Sequence, residues 1–234
     1  MKKIKRFRFF VITAIVAAVL VASIVGVTGC GGGTSMERLG HLISELRENV
    51  FAGESDNFSV NIITGLREDP FLMDGNAAIA RDFTLITLTP KNATEGTYAF
   101  EVNIGGTQFK GDFIAHPFAQ TFSAELDIRV NVSEIALTVT GNSGNDNIMA
   151  TSVVTDQMIP ADKALEIGEN KLRNSIEVFK TGGALQAEIF IRLIANPIDQ
   201  SGGYHWYVAF IGQNQTIFAA LICSISMQVL AIRN

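Results

Sequence analysis

Hydrophobic and polar positions change their period several times along the chain. From Phe9 to Gly26 (FFVITAIVAAVLVASIVG) no charged residue occurs. After three glycines, Met36, Leu39, Ile43, Leu46 and Val50 recur three or four residues apart, with Glu37, Arg38, Glu45, Arg47 and Glu48 between them. That spacing predicts an amphipathic helix of about four turns, opened by the capping box Thr34-x-x-Glu37. From Phe58 to about Thr155 the period is two: FSVNIIT (58–64), FTLITLT (83–89), YAFEVNI (98–104), QFKGDFI (108–114), FSAELDIRV (122–130) and EIALTVT (134–140). Turn formers such as Asp74-Gly75 and Pro90-Lys91-Asn92 separate these runs, and Gly105-Gly106 suits a two-residue hairpin. The pattern predicts an antiparallel sheet curling into a β-sandwich or half-barrel.

Helical spacing returns after Pro160, where Ala161, Ala164, Leu165, Gly168, Leu172, Ile176 and Phe179 share one face before Gly182-Gly183. Three strands follow, 185–195, 203–211 and 216–225. In 185–195 the aliphatic residues Ile189, Ile191 and Leu193 alternate with Glu188, Phe190 and Arg192, so the first set should meet the helix. The expected fold class is α+β: an N-terminal helix plus antiparallel β-sandwich or half-barrel, then a C-terminal helix packed on a three- to four-stranded antiparallel sheet. The expected divisions are 1–29, 30–34, 35–156 and 157–234.

The N-terminus supplies the address. MKKIKRFR carries five positive charges ahead of the apolar run, the layout of a secretory signal, although 18 apolar residues also just span a bilayer as an uncleaved anchor. Val27-Thr28-Gly29-Cys30 resembles the bacterial lipobox. The resemblance implies cleavage before Cys30 and acylation of that residue, typically with palmitate-like chains, and residues 30–34 become a lipidated glycine tether. Two acyl chains hold a protein stably on a membrane where one does not. Either reading puts residues 31–234 outside the cytoplasmic membrane. Gly31 follows the cysteine rather than an Asp, so the outer membrane is open as a destination in a Gram-negative host.

Charge narrows the partners. Removing residues 1–29 takes five of the 18 Lys and Arg and none of the 23 Asp and Glu, leaving 13 against 23, a net charge near −10. An acidic body opposes nucleic-acid binding, which needs clustered cations on phosphates. With Cys30 acylated, Cys223 has no intramolecular partner, and it reads as a buried strand thiol or as an exposed one open to redox chemistry.

Residues 159–232 resemble PepSY domains, small extracytoplasmic modules in which a helix packs on an antiparallel sheet. IPADKALEIGENKL matches their opening helix. YHWYVAFIGQNQTIFAALICSISMQVLA matches their closing hairpin through Trp206-Tyr207-Val208 and Val229-Leu230, with Cys223 standing where the pattern has Asp and Ser226-Met227 where it has Thr-Gly. The resemblance implies peptidase inhibition or regulation at the cell envelope, and it assigns no individual residue. The chain as a whole resembles a bacterial lipoprotein of uncharacterised type.

Little in the sequence carries chemistry. The histidines are His41, His116 and His205, and there is no G-x-S-x-G elbow, nor an H-E-x-x-H or C-x-x-C pattern for zinc. GNSGNDN (141–147) resembles one degenerate copy of a calcium β-roll turn, with Asn142, Asn145, Asp146 and Asn147 as oxygen ligands; such turns work in tandem, so a hairpin loop is the plainer reading. No metal, cofactor or catalytic residue is expected. GLREDPFLMDGN (65–76) gathers Arg67, Glu68, Asp69 and Asp74, either a solvated connection with an Arg–carboxylate pair or the carboxylates of a cation-assisted envelope hydrolase. The expected binding surface comprises Tyr204, Trp206, Tyr207, Phe190 and Arg192; one set of aromatics should pack on the helix, and the other would either seat a sugar ring or a peptide or form a contact between the two units. These features lead to the expectation of a non-catalytic, membrane-tethered extracytoplasmic lipoprotein that binds a protein or cell-wall partner.

Overall fold

The computed structural model describes residues 33–92, 96–141, 144–198 and 202–234. Where helical spacing predicts four turns, only α1 (Ser35–Leu39) is α-helical. A 3-10 turn, Gly40–Leu42, follows it and leads into a twelve-residue strand, β1 (Ile43–Glu54). The remaining strands before the second helix are β2 (Phe58–Glu68), β3 (Ala80–Pro90), β4 (Ala99–Ile104), β5 (Thr107–Asp112), β6 (Ile114–Ala115), β7 (Phe122–Leu126), β8 (Glu134–Gly141) and β9 (Gly144–Ser152). Helix α2 (Ala161–Ile176) precedes a small ribbon, β10 (Lys180–Thr181) with β11 (Ala184–Leu185), and then β12 (Glu188–Ala195), β13 (Tyr204–Ile211), β14 (Ile217–Cys223) and β15 (Val229–Arg233).

β1 organises everything else. One of its edges pairs with β2 from Glu45 to Glu54. The other edge forks: Ile43–Arg47 pair in parallel with β12, while Phe51 and Ala52 pair antiparallel with β9. One branch continues through β12–β13–β14–β15, the other through β9–β8–β4–β5, and β2 leads on to β3–β7–β6. The result is one thirteen-stranded sheet among the described residues. Its larger part curls until β5 and β6, neighbours in sequence, form its two free edges.

The α+β expectation is therefore corrected. The fold is mostly β, a nearly closed, antiparallel, barrel-like sheet with two short helices, and neither a sandwich nor a helix-plus-sheet arrangement describes it. The physical cause is β1. Its register shifts between Ile43 and Glu45 and again between Arg47 and Asn49; because a bulge adds one residue to a strand, the three-residue spacing from Ile43 to Leu46 can serve one face of a sheet. Five helical residues are too few to propagate alone, whereas β1 finds hydrogen-bonding partners on both edges, and tertiary pairing overrides local propensity.

Two cores lie against this sheet. Leu39, Ile43, Leu46 and Val50 join α2 (Ala164, Leu165, Leu172, Ile176) and the inner faces of β12–β14 in one. The barrel-like part encloses the other, around Phe51, Ile62, Ile86, Leu88, Phe100, Leu137 and Val139. Gly168 permits the close approach of α2 to β13, since a Cβ there would sit 2.8 Å from Val208 Cγ1. The Gly105-Gly106 hairpin joins β4 to β5 with φ of +59° and +85°, the left-handed pair that a two-residue type I′ turn requires. No helix among the described residues is long and apolar enough to cross a membrane.

Candidate functional site on the outer face of the C-terminal sheet

Register across β12, β13 and β14 sorts the expected binding residues onto two faces. Ile191, Val208 and Ala220 are aligned, as are Leu193, Trp206 and Ile222, and all six belong to the core under α2. Tyr204 and Trp206 therefore point toward the helix. Trp206 is buried and its indole N–H donates to the Ile159 carbonyl (2.9 Å); burial pushes the Tyr204 phenol up from its ordinary pKa. Phe190, Arg192 and Tyr207 occupy the opposite, outer face, with Ala209, Ile211 and Ala219. The five residues thus divide into two and three. Trp206 does border a cleft of about 490 Å³ with Leu193, Val154, Met158 and Pro160, beside the Arg129–Glu48 ion pair.

On the outer face, residues from three strands converge. Arg47 on β1 is the register partner of Arg192 on β12, which is in turn the partner of Tyr207 on β13. Two guanidinium groups side by side repel, and Glu45 compensates: one carboxylate oxygen accepts from Arg47 Nε (2.9 Å), the other from Arg192 Nε. Glu45 is completely buried, whereas the arginine side chains keep 27% and 20% of their surface exposed. The Arg192 guanidinium lies 4.3 Å from the centroid of the Phe190 ring, and Phe71 packs on the same ring at 5.6 Å. Burial is the main cause drawing the Arg192 pKa down, with the Arg47 charge adding to it and Glu45 opposing. A guanidinium is not deprotonated in proteins, so Arg192 stays cationic.

The segment between β2 and β3, residues 69–79, is a strap over this face. Two carboxylates fasten it from beneath. Glu68, 2% exposed, accepts from the Leu72 N–H (3.1 Å) and the Ala78 N–H (2.9 Å), near the two ends of the strap. Glu188, fully buried, accepts from the Gly75 N–H (3.1 Å) at its middle. Gly75 has φ +82°, and a Cβ there would lie 2.3 Å from the backbone of Gly212 and Gln213, so only glycine lets the strap lie this low. Burial is the main reason the Glu188 carboxyl is held above the usual range, with the charges of Glu68 and Asp74 acting in the same direction and the Gly75 hydrogen bond and the nearby Ser44 hydroxyl opposing. Phe71, Leu72 and Met73 remain exposed on the strap.

These contacts define what the 67–74 carboxylates do. Glu68 is occupied by two amides, Asp69 pairs with Arg81 (3.1 Å) and Asp74 accepts from the Asn76 N–H (2.9 Å). Arg67 sits over the Phe83 ring at 4.6 Å and pairs with Glu125. A small cleft of about 220 Å³ opens there, lined with Arg67, Asp69, Arg81, Asp82, Glu125 and Asp127. Among the described residues no three His, Cys, Asp or Glu side chains converge as metal ligands would.

The other sequence candidates fall elsewhere. His41 lies in the 3-10 turn and His116 in the loop after β6, where its Nδ1 accepts from the Phe118 N–H (3.2 Å). His205 is the register partner of Cys223 on the outer face, two residues along β13 from Tyr207. The partly exposed Cys223 thiol is drawn down in pKa chiefly by the Ser226 hydroxyl, then by its backbone N–H, with burial opposing. In GNSGNDN, Asn145, Asp146 and Asn147 are consecutive residues of β9, Asp146 accepting from Asn57 and Asn147 from Thr138; Asn142 lies outside the described residues, as do residues 1–29 and Cys30. Glu45, Arg47, Phe71 and Glu188 were not anticipated as site residues. The signal for the first two was the charged Glu45-x-Arg47 alternation inside an apolar stretch, which has meaning only once that stretch is a strand. No family model, curated protein or solved structure matches this chain.

Proposed function

We propose that this chain is a membrane-tethered extracytoplasmic lipoprotein, anchored through acylated Cys30, that acts without catalysis by binding a protein or cell-envelope partner. An envelope peptidase is the partner class that the PepSY resemblance of residues 159–232 suggests. The observation carrying the reading is the lipobox-like Val27-Thr28-Gly29-Cys30 directly behind a charged n-region and an apolar run. The folded unit starting at Thr34 agrees with it. Thr34 Oγ1 accepts from the Glu37 N–H (3.2 Å), Glu37 reciprocates to the Thr34 N–H (2.7 Å), and Ser35 and Arg38 both bind Glu169 of α2. With three glycines between Cys30 and Thr34, the body is held within about 15 Å of the acylated residue.

The binding part of the reading is supported by the outer sheet face, where charged and aromatic side chains from three strands meet. The hydrolase alternative is less well supported, because each carboxylate in the 67–74 segment is engaged in the internal contacts described above. The test is metabolic labelling with an alkyne fatty acid, followed by membrane fractionation of the wild type and Cys30→Ser. Label and membrane retention that both disappear in the variant are expected. A variant that remains membrane-bound while neither protein takes label would overturn the lipoprotein reading in favour of a spanning anchor.

A further inference from the structure

We propose that Arg47 and Arg192, bridged by Glu45, form a receptor for a single carboxylate that a protein partner presents beside an apolar side chain. This rests on the reading that the protein acts by binding, and it specifies the partner's chemistry. Each arginine gives only its Nε–H to Glu45, and neither has another acceptor among the described residues. A guanidinium carries five donors in a planar fork, so the amino groups of both side chains are left to an external acceptor. Elsewhere among the described ion pairs each arginine has its own carboxylate: Arg38 with Glu169, Arg67 with Glu125, Arg81 with Asp69 and Arg129 with Glu48. Only at Glu45 do two arginines share one. The trio therefore keeps one uncompensated positive charge, partly desolvated, where a charge-assisted hydrogen bond is strongest.

The surroundings select the ligand. Gly65 is the register partner of Arg47 on β2, so no side chain stands directly opposite Arg47 on that strand. On the other side Phe190 lies under Arg192 and carries Phe71, which continues into the exposed Leu72 and Met73 of the strap. A ligand seated on the guanidinium pair thus meets an apolar shelf next to the charge. One net positive charge in a body near −10 suits one anionic group and repels a polyanion or an anionic lipid surface.

The test uses the full-length protein in detergent micelles and blocked peptides, followed by saturation-transfer NMR titration. The probes are acetyl-Ala-Phe-Glu-Ala-amide, its Gln counterpart, and the Gln peptide with a free C-terminal carboxylate. The expected result is binding of a carboxylate-bearing peptide at least about tenfold tighter than the blocked Gln peptide, lost to a similar degree in Arg47→Gln and Arg192→Gln. The two carboxylate peptides separate a side-chain source from a chain terminus. Each single variant leaves Glu45 one arginine, and an unchanged Tm confirms that the fold is intact. Equal binding of all three peptides, binding indifferent to both variants, no binding by any peptide, or tighter displacement by inorganic phosphate than by acetate would each overturn the proposal. Membrane fractionation of the same variants reports on the tether independently, so failure of the receptor and failure of the lipoprotein reading are distinguishable.

Discussion

Replacing Glu68 with alanine should release the strap without unfolding the sheet beneath it. The carboxylate is 2% exposed and accepts from the Leu72 N–H at 3.1 Å and the Ala78 N–H at 2.9 Å. Hydrogen bonds to a charged acceptor contribute about 1.5–3 kcal/mol each. Both donors belong to exposed residues and find water once freed, so the two together should contribute about 2–3 kcal/mol to closure of the strap. That difference corresponds to an opening equilibrium shifted about 30- to 150-fold. Hydrogen exchange read by mass spectrometry should show peptides spanning 69–79 losing protection by that factor, while peptides from α2 keep theirs. Glu68→Gln retains one acceptor oxygen but turns an amide nitrogen toward a backbone N–H, and should fall between wild type and alanine. Protection of 69–79 unchanged within about twofold in Glu68→Ala would refute the assignment of the carboxylate as the fastener, given the magnitude above.

Three further outcomes follow from other contacts. Glu188 holds its proton above the ordinary range, so its contribution to stability is fully present below the unfolded pKa of about 4.3 and is lost as pH rises through the folded value. Glu188→Gln should therefore gain on wild type in urea midpoint between acidic and neutral pH, and a difference that stays constant across that range contradicts the account. Cys223 should alkylate with iodoacetamide at a pH midpoint below the ordinary thiol value of about 8.5, and Ser226→Ala should move that midpoint upward; a midpoint indifferent to Ser226 removes its hydroxyl as the cause. Gly168→Ala gains about 1 kcal/mol of helix propensity but places a methyl 2.8 Å from Val208 Cγ1 and 2.9 Å from its Cβ. Overpacking of this kind costs about 1–3 kcal/mol, so Tm should fall in the single variant and recover when Val208→Ala is added.

What was legible in the sequence was local. Gly105-Gly106 announced its hairpin because two left-handed residues are what a tight turn demands, and α2 followed from Pro160 and the apolar stripe; it ends at Ile176, however, and Gly182-Gly183 turn the β10–β11 ribbon instead of stopping the helix. Alternation in β12 assigned Ile189, Ile191 and Leu193 to the helix side correctly. The architecture was lost at one segment. Ile43, Leu46 and Val50 carry helical spacing, and nothing local reveals that bulges adapt it to a strand or that the strand pairs with β12, more than 140 residues later. Once β1 is read as helix, the two branches of the sheet look like separate units. The site was obscured by the same misreading, since Glu45 and Arg47 were assigned to the polar side of a helix and could not be placed beside Arg192. An Arg–carboxylate pair in the 65–76 loop was expected, but that Arg81 on β3 is the partner of Asp69 depends on register, which composition does not encode.

The fork in β1 also has a mechanical meaning. The strand follows α1 and its 3-10 turn directly, so under the proposed anchoring through Cys30 a pull would enter the folded body at β1. At its N-terminal half that strand is hydrogen-bonded to β2 on one edge and to β12 on the other. Ladder bonds lie roughly across the strand direction, and a lengthwise load must shear the bonds on both edges together instead of opening them one at a time. The C-terminal edge strand β15, paired only with β14, is out of that load path. Extension by force from the N-terminus should therefore meet its main resistance at β1, the end at which the proposed tether would pull.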